Sequence, residues 1–309
     1  MSHPFPDEQV NTFVRDDGNA IIAASARVGM VNRHEEIAMT TTITTDGGTA
    51  AVDSFAADWE QWHHAREQAL GAPGGWLSIN RLEWLDTEPG RFNGLPGSWW
   101  YEGPVAHLAP GHDETFSPRT FDLHPTGPGE VIDVDGHHIE VARRGDGYLI
   151  RVHDDSAPTI RDFRGVPAYP ADPAWAIDAR FEPHPEPEPV TVGAVAEGLA
   201  HVYVSPGVLF IEHDGNEHRL VAFNGKEGGL SVLFTDETSG VTTYAANRSL
   251  AIDASDQTIR DGGAVVLDFN RAVNLPCAFI DFATCPLPPA GNHLPFGVEA
   301  GEKTPYGRG

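Results

Sequence analysis

The chain has 309 residues, and its 45 acidic and 20 basic side chains give a formal net charge of −25. A surface this acidic repels phosphate backbones and anionic headgroups, which argues against nucleic acid or a membrane surface as partner. No stretch reaches the ~18 apolar residues of a membrane span. Residues 1–38 lack the charged start and apolar run of a secretory signal, so the expected compartment is the cytoplasm.

Residues 1–50 are expected to be a mobile leader. They hold a weakly apolar run from Ile21 to Met30 and a polar tract from Met39 to Gly48. That is too little apolar area to offset an ordering entropy of roughly 1–2 kcal/mol per residue. A helix follows, because Phe55, Trp59, Trp62, Arg66 and Ala69 recur at intervals of 4, 3, 4 and 3 and so share one helical face. Asp53 or Ser54 is placed to cap its start, and Gly71 before Pro73 to end it. Its two tryptophans are read as packing against a sheet.

From Trp76 onward, short β-branched and aromatic runs alternate with Gly, Pro, Asn and Asp punctuation. Strands are expected over Val131–Val134, His138–Ala142, Tyr148–His153, Trp175–Phe181, Val190–Val192, His201–Val204, Val208–His213, His218–Phe223, Leu230–Phe234 and Ala264–Phe269. Asp214-Gly215-Asn216 signals a hairpin. The alternating prolines from Glu182 to Pro189 read as an extended surface connection. These patterns predict a mainly β fold, an antiparallel barrel or sandwich with an N-terminal amphipathic helix. All seven tryptophans lie between 59 and 175. That asymmetry suggests an N-terminal helix plus β sub-structure over 51–155 and a C-terminal β sub-structure over 156–309.

Recognisable reaction motifs are missing. The chain has no GxSxG elbow, no GxGxxG after a strand, no GxxxxGK[ST] and no HExxH. Fifteen histidines include the adjacent pairs His63-His64 and His137-His138, whose side chains diverge on either a helix or a strand. His213 and His218 flank the hairpin without a third ligand fixed by sequence. The histidines are read as surface residues, and neither a metal nor another cofactor is expected. Cys277 and Cys285 read as buried, reduced, poorly reactive thiols.

Two polar blocks stand apart from this background. One runs from Phe234 to Arg248 and contains a turn at Asp236–Gly240, where side-chain oxygens cap backbone amides. The other runs from Asp268 to Lys303 and holds both cysteines and one of the two lysines, the other being Lys226 in a glycine-rich turn. In these blocks stand Phe-x-Asp-x-Thr-x-Gly from Phe234, Thr243-Tyr244, Asp268-Phe269-Asn270-Arg271-Ala272, Asn274-x-Pro276-Cys277-Ala278-Phe279, Ala283-Thr284-Cys285-Pro286-Leu287-Pro288-Pro289, Asn292-x-Leu294-Pro295 and Ala300-Gly301-Glu302-Lys303. With Asp162-Phe163-Arg164-Gly165, Tyr169-Pro170-Ala171-Asp172 and Trp175 to Phe181, they resemble the bacterial, archaeal and fungal family called domain of unknown function 1684. The likeness covers 160–303, thins over 59–100 and is lost before 50. Leu275 departs from the usual first proline of a pair, and Ala246-Asn247-Arg248 replaces a glycine-arginine step. The resemblance supplies no activity.

The expected function is binding of a small molecule, which these groups equip to be anionic, with no nucleic-acid or membrane partner and an open oligomeric state. Tyr244, Arg248, Asn270, Arg271, Asn274 and Asn292 are the candidate ligand-binding residues. The alternative is a metal-independent hydrolase or isomerase in which Asp236, Asp268, Glu302 and Lys303 act as acid, base or charge stabiliser. Buried polar groups must satisfy one another, so the two blocks are expected to meet, with Asp268, Asn270, Asn292, Glu302 and Lys303 in one cluster and Lys303 near a carboxylate.

Overall fold

The structure, a computed structural model, describes residues 47–308, and the expected leader lies almost wholly outside them. The described residues form one compact unit. A helix, Gly47–Leu70, opens it. The helix begins before Asp53 and Ser54, so neither caps its start. Its packing face ends on Leu70, which is buried, while Ala69 is exposed. Among the described residues no helix is long and apolar enough to cross a membrane.

The rest is mainly antiparallel β-sheet, with no closed barrel. A three-stranded sheet (Ser98–Glu102, Val105–Ala109, Arg119–Asp122) and a four-stranded sheet (Ile79–Trp84, Gly147–His153, His137–Arg144, Glu130–Val134) share a core. Trp99, Leu108 and Phe121 of the first meet Ile132, Ile139, Val141, Tyr148 and Ile150 of the second. Two sheets burying alternate residues against each other make a sandwich.

The third sheet has eight strands. Gly263–Asp268 leads it, followed by Ala176–Gly193, Ala200–His213, Asn216–Asn224, Leu230–Asp236, Arg248–Ile252 and Val273–Asn274, with His293–Leu294 joining Leu230–Asp236 in parallel. Its two edge strands are joined by a single 3₁₀ turn, Phe269–Arg271. Five residue steps span at most about 18 Å, so the sheet curls until its edges nearly meet. Phe181, Leu209, Phe234, Leu250, Leu267 and Phe269 fill the enclosed side.

The expected hairpin is present as a two-residue turn. Asn216 pairs with His213, and Asp214 and Gly215 take φ of 50° and 73°, the left-handed values that match strand twist. The proline stretch is corrected. Residues 182–189 lie inside one long strand, Ala176–Gly193, whose register shifts between Pro183 and Glu188. Proline has no amide to give a ladder and is accommodated at such an irregularity.

Strand Gly147–His153 is covered on both faces. Tyr148 and Ile150 enter the sandwich core, while Arg151 on the other face is fully buried. Arg151 donates from Nη1 to Glu140 Oε2 at 2.9 Å, from Nε to the Phe282 carbonyl at 3.0 Å and from Nη2 to Thr284 Oγ1 at 3.2 Å. One guanidinium thus ties the four-stranded sheet to the C-terminal segment. Arg151→Met leaves the Glu140 carboxylate buried and unpaired, so urea unfolding should show a loss of about 3–5 kcal/mol. A loss below about 1 kcal/mol would show that the two parts are joined by other means.

Candidate functional site

Several buried polar residues lie where the edges of the large sheet approach. Asp236 ends its strand, and its Oδ1 accepts from the Thr238 amide at 2.8 Å and the Thr238 hydroxyl at 2.5 Å, which turns the chain. Its Oδ2 accepts from Arg248 Nη2 at 2.8 Å, with both side chains 1% exposed. Arg248 also donates to the carbonyls of Val298, at 3.0 Å, and Ala300, and its guanidinium lies 5.2 Å from the Phe234 ring centroid. Burial lowers the Arg248 pKa from its ordinary value and Asp236 opposes the shift. The two polar blocks therefore meet where this ion pair takes the backbone of Val298 and Ala300.

Gly301 follows with φ of 74°; a Cβ there would lie 2.6 Å from the Ala272 carbonyl oxygen and 2.8 Å from that of Phe269. The turn sends Glu302 inward. Glu302 accepts from the Asn274 amide at 2.6 Å and from Arg66 Nε at 3.2 Å, while Arg66 Nη2 donates to the Asn274 carbonyl at 2.9 Å. Burial pushes the Glu302 carboxyl above the ordinary carboxylate value; Arg66 and the Asn274 amide pull the other way and do not cancel it.

Asparagines substitute for missing strand partners. Asn270 Oδ1 accepts from the Asp172 amide and Nδ2 donates to the Asp172 carbonyl, both at 2.9 Å. Asn292 does the same to Val221, at 2.8 and 2.9 Å, and also donates to the Leu233 carbonyl at 2.9 Å. Strands Asn216–Asn224 and Leu230–Asp236 pair only at Phe223 and Asn224, so Asn292 fills the gap where they splay. Asn274 Nδ2 donates to the Lys303 carbonyl at 2.7 Å.

The single expected cluster is thus corrected to several. Asp236, Arg248, Asn274 and Glu302 form one contiguous knot. Asp268 caps the 3₁₀ turn beside it, accepting from Asn270 Nδ2 at 2.8 Å. Asn292 serves other strands. Arg271 pairs with Asp58 at 2.5 Å and lies over the Trp62 ring. Lys303 meets no carboxylate within ion-pair distance among the described residues; its Nζ sits 4.2 Å from the Tyr169 ring centroid. The segment follows an irregular path, and Asn270, Asn274, Asn292 and Glu302 each satisfy backbone groups on it or beside it.

Sequence reasoning gave no site role to Arg66 or Trp59. Trp59 donates its indole N–H to the Asn270 carbonyl at 2.7 Å, so the helix docks on the C-terminal segment through hydrogen bonds. The signal was present: a charged residue on an otherwise packing face of the helix.

Tyr244 lies elsewhere. With Trp84, Cys277, Ala283, Thr284 and Arg308 it lines a cleft of about 270 Å³. Its hydroxyl donates to the Cys277 carbonyl at 3.0 Å, and burial raises its pKa to about 12, so it is a neutral donor. Arg308 donates to the same carbonyl at 3.4 Å and pairs with Asp281 at 2.7 Å. Both cysteines are free and buried. The Cys277 thiol is pushed up by its hydrogen bond to Cys285 and by burial, and the same bond pulls Cys285 down.

The family described as Protein of unknown function (DUF1684) matches residues 161–303, which include the knot and one wall of the cleft. An uncharacterised protein of Haloarcula marismortui, known from a solution NMR structure, is 32% identical; the match covers 48% of this chain and 80% of that one, with a TM-score of 0.39. No curated protein matches.

The direction of the Glu302 shift sets a pH dependence. A carboxyl whose folded pKa is raised contributes stability below its unfolded pKa, near 4.5, and loses it as pH rises through the folded value. Comparing unfolding free energies of the wild type and Glu302→Gln from pH 4.5 to 8, the difference should move in the variant's favour as pH rises. Movement towards the wild type would mean that Arg66 and the Asn274 amide outweigh burial.

Proposed function

The chain belongs to the family described as Protein of unknown function (DUF1684), and we propose that it binds a small organic anion in the cleft beside Tyr244. The observation that carries this reading is the composition of the cleft. It draws on both family-specific blocks and on strand Ile79–Trp84, so its walls come from separate parts of the fold. Its volume lies just below the usual range of small-molecule pockets, and an apolar lining with a few fixed polar groups is the common form of such sites.

Charge supports an anionic ligand. Thr284, on the cleft wall, accepts at Oγ1 from Arg144 Nε at 3.3 Å and from Arg151 Nη2 at 3.2 Å. Arg308, on the wall itself, adds a third guanidinium to the two behind Thr284, against the carboxylates of Glu140 and Asp281. This local excess of positive charge, in a chain of net charge −25, selects for a negative group on the ligand.

The alternative reading, a hydrolase or isomerase acting through Asp236, Asp268, Glu302 and Lys303, has less support. Acid–base catalysis needs titratable groups within reach of one substrate. Asp236 and Glu302 are buried and hydrogen-bonded, and no two of the four side chains share a hydrogen-bond partner. In the binding reading these groups hold the C-terminal segment in place and do not line the cleft.

The anionic probe anilinonaphthalene sulfonate tests the proposal. It should bind saturably and take energy from the half-exposed Trp84. Ala283→Trp, which fills the cleft, and Arg308→Met should each weaken binding about tenfold, some 1.4 kcal/mol, with the melting temperature of each variant checked as a control. Probe affinity indifferent to both variants, or no saturable binding to the wild type, would overturn the assignment.

A further inference from the structure

A second cavity, independent of the cleft, lies at the end of the four-stranded sheet. Pro73, Gly74, His138, His153 and Asp155 line about 350 Å³ of space. His138 and His153 stand directly opposite each other on neighbouring strands, with ring centroids 5.3 Å apart.

The hydrogen bonds fix which ring nitrogen each histidine presents. Ser78 Oγ lies 2.7 Å from the Gly75 carbonyl oxygen and 2.7 Å from His153 Nδ1. A carbonyl cannot donate, so the single hydroxyl hydrogen goes to Gly75, and His153 Nδ1 must supply the hydrogen of the other bond. The neutral ring then carries a bare lone pair on Nε2, an atom that is buried and has no hydrogen-bond partner. His138 Nδ1 lies 2.7 Å from Asp133 Oδ1 and likewise donates, which leaves its Nε2 bare in the neutral ring. Asp155 accepts the Gly74 amide on Oδ1 at 2.8 Å and keeps a second oxygen. The two rings and Asp155 thus bring acceptors, so the occupant must be a Lewis acid or a hydrogen-bond donor.

We propose that His138 and His153 form a two-histidine site for a divalent transition-metal ion such as zinc, with Asp155 as its oxygen ligand. Neutral imidazole nitrogens bind such ions at about 2.0–2.1 Å. Two imidazoles on one tetrahedral ion place their ring centroids about 5 Å apart, which the cross-strand spacing matches. Among the described residues no three His, Cys, Asp or Glu side chains are already arranged around a metal position, so Asp155 must turn its side chain to complete the set, with water in the remaining positions. Asp133 touches no metal in this scheme. It is a positioning residue that fixes the His138 ring, as carboxylates behind ligating histidines do.

The test is calorimetric titration of the full chain with zinc chloride, with long-range nitrogen–proton NMR of the imidazoles. One ion per chain should bind with a dissociation constant on the order of micromolar, and the Nε2 resonances of His138 and His153 should shift together. His138→Ala, at a half-exposed position, and Asp155→Asn should each weaken binding. Asp133→Asn should weaken it about tenfold while leaving both Nε2 atoms as ligands. His153→Ala removes a half-buried ring, so its circular dichroism is checked first, and the His138 and Asp155 variants decide the matter if it does not fold. Zinc binding unchanged in His138→Ala, or absent from the wild type, would overturn the site. So would saturable binding of guanidinium where zinc gives no heat.

Discussion

The buried pair of Asp236 and Arg248 is the constraint on which the C-terminal half of the molecule depends. Two unit charges withdrawn from water carry a desolvation cost that only close geometry and full hydrogen bonding offset. Here the geometry is close, and the carboxylate and both Nη atoms are hydrogen-bonded, while Arg248 Nε is buried without a partner among the described residues. The carboxylate also takes Thr238 and the Val298 amide, and the guanidinium also takes the carbonyls of Val298 and Ala300. The pair therefore fixes both the turn after Leu230–Asp236 and the path of a segment 50 to 52 positions beyond Arg248.

The curl of the large sheet explains why such a pair is needed. Gly263–Asp268 and Val273–Asn274 are its opposite edges, separated by one turn, and the sheet is not closed by strand hydrogen bonds between them. Open edges expose amides and carbonyls that must find partners. Asn270 clamps Asp172, Glu302 takes the Asn274 amide, and Arg66 brings the helix against the same place. Polar side chains here do the work that a further strand would do in a closed barrel. The Tyr244 cleft lies between this frame and the four-stranded sheet, with Thr284 on its wall and Arg151 behind Thr284.

Much of the fold could be read from the chain because burial imposes local periodicity. The β-branched and aromatic run at Tyr148–His153 and the Asp214-Gly215 turn predict the elements observed, and the Asp236 turn is capped by its own side chain as expected. The prolines of 182–189 misled, since proline disfavours a strand interior unless the register breaks, and a register shift leaves no local signal. That the two polar blocks meet was legible in the sequence, but their arrangement was not. Which carbonyl Asn292 or Arg248 would meet depends on strands far away in sequence. The Lys303 contact with Tyr169, the Arg66 contact with Glu302 and the His138–His153 pair are likewise set by tertiary register alone.

A double-mutant cycle on the central pair tests this account most directly, using Asp236→Leu, Arg248→Met and the two combined, with unfolding followed in urea. Each single change should cost about 3–5 kcal/mol, because it strands a charge in the interior. The double change should cost less than their sum by about 2 kcal/mol or more, because it strands neither. Single changes costing under about 1 kcal/mol each, and adding without coupling, would show that the C-terminal segment is held without the ion pair.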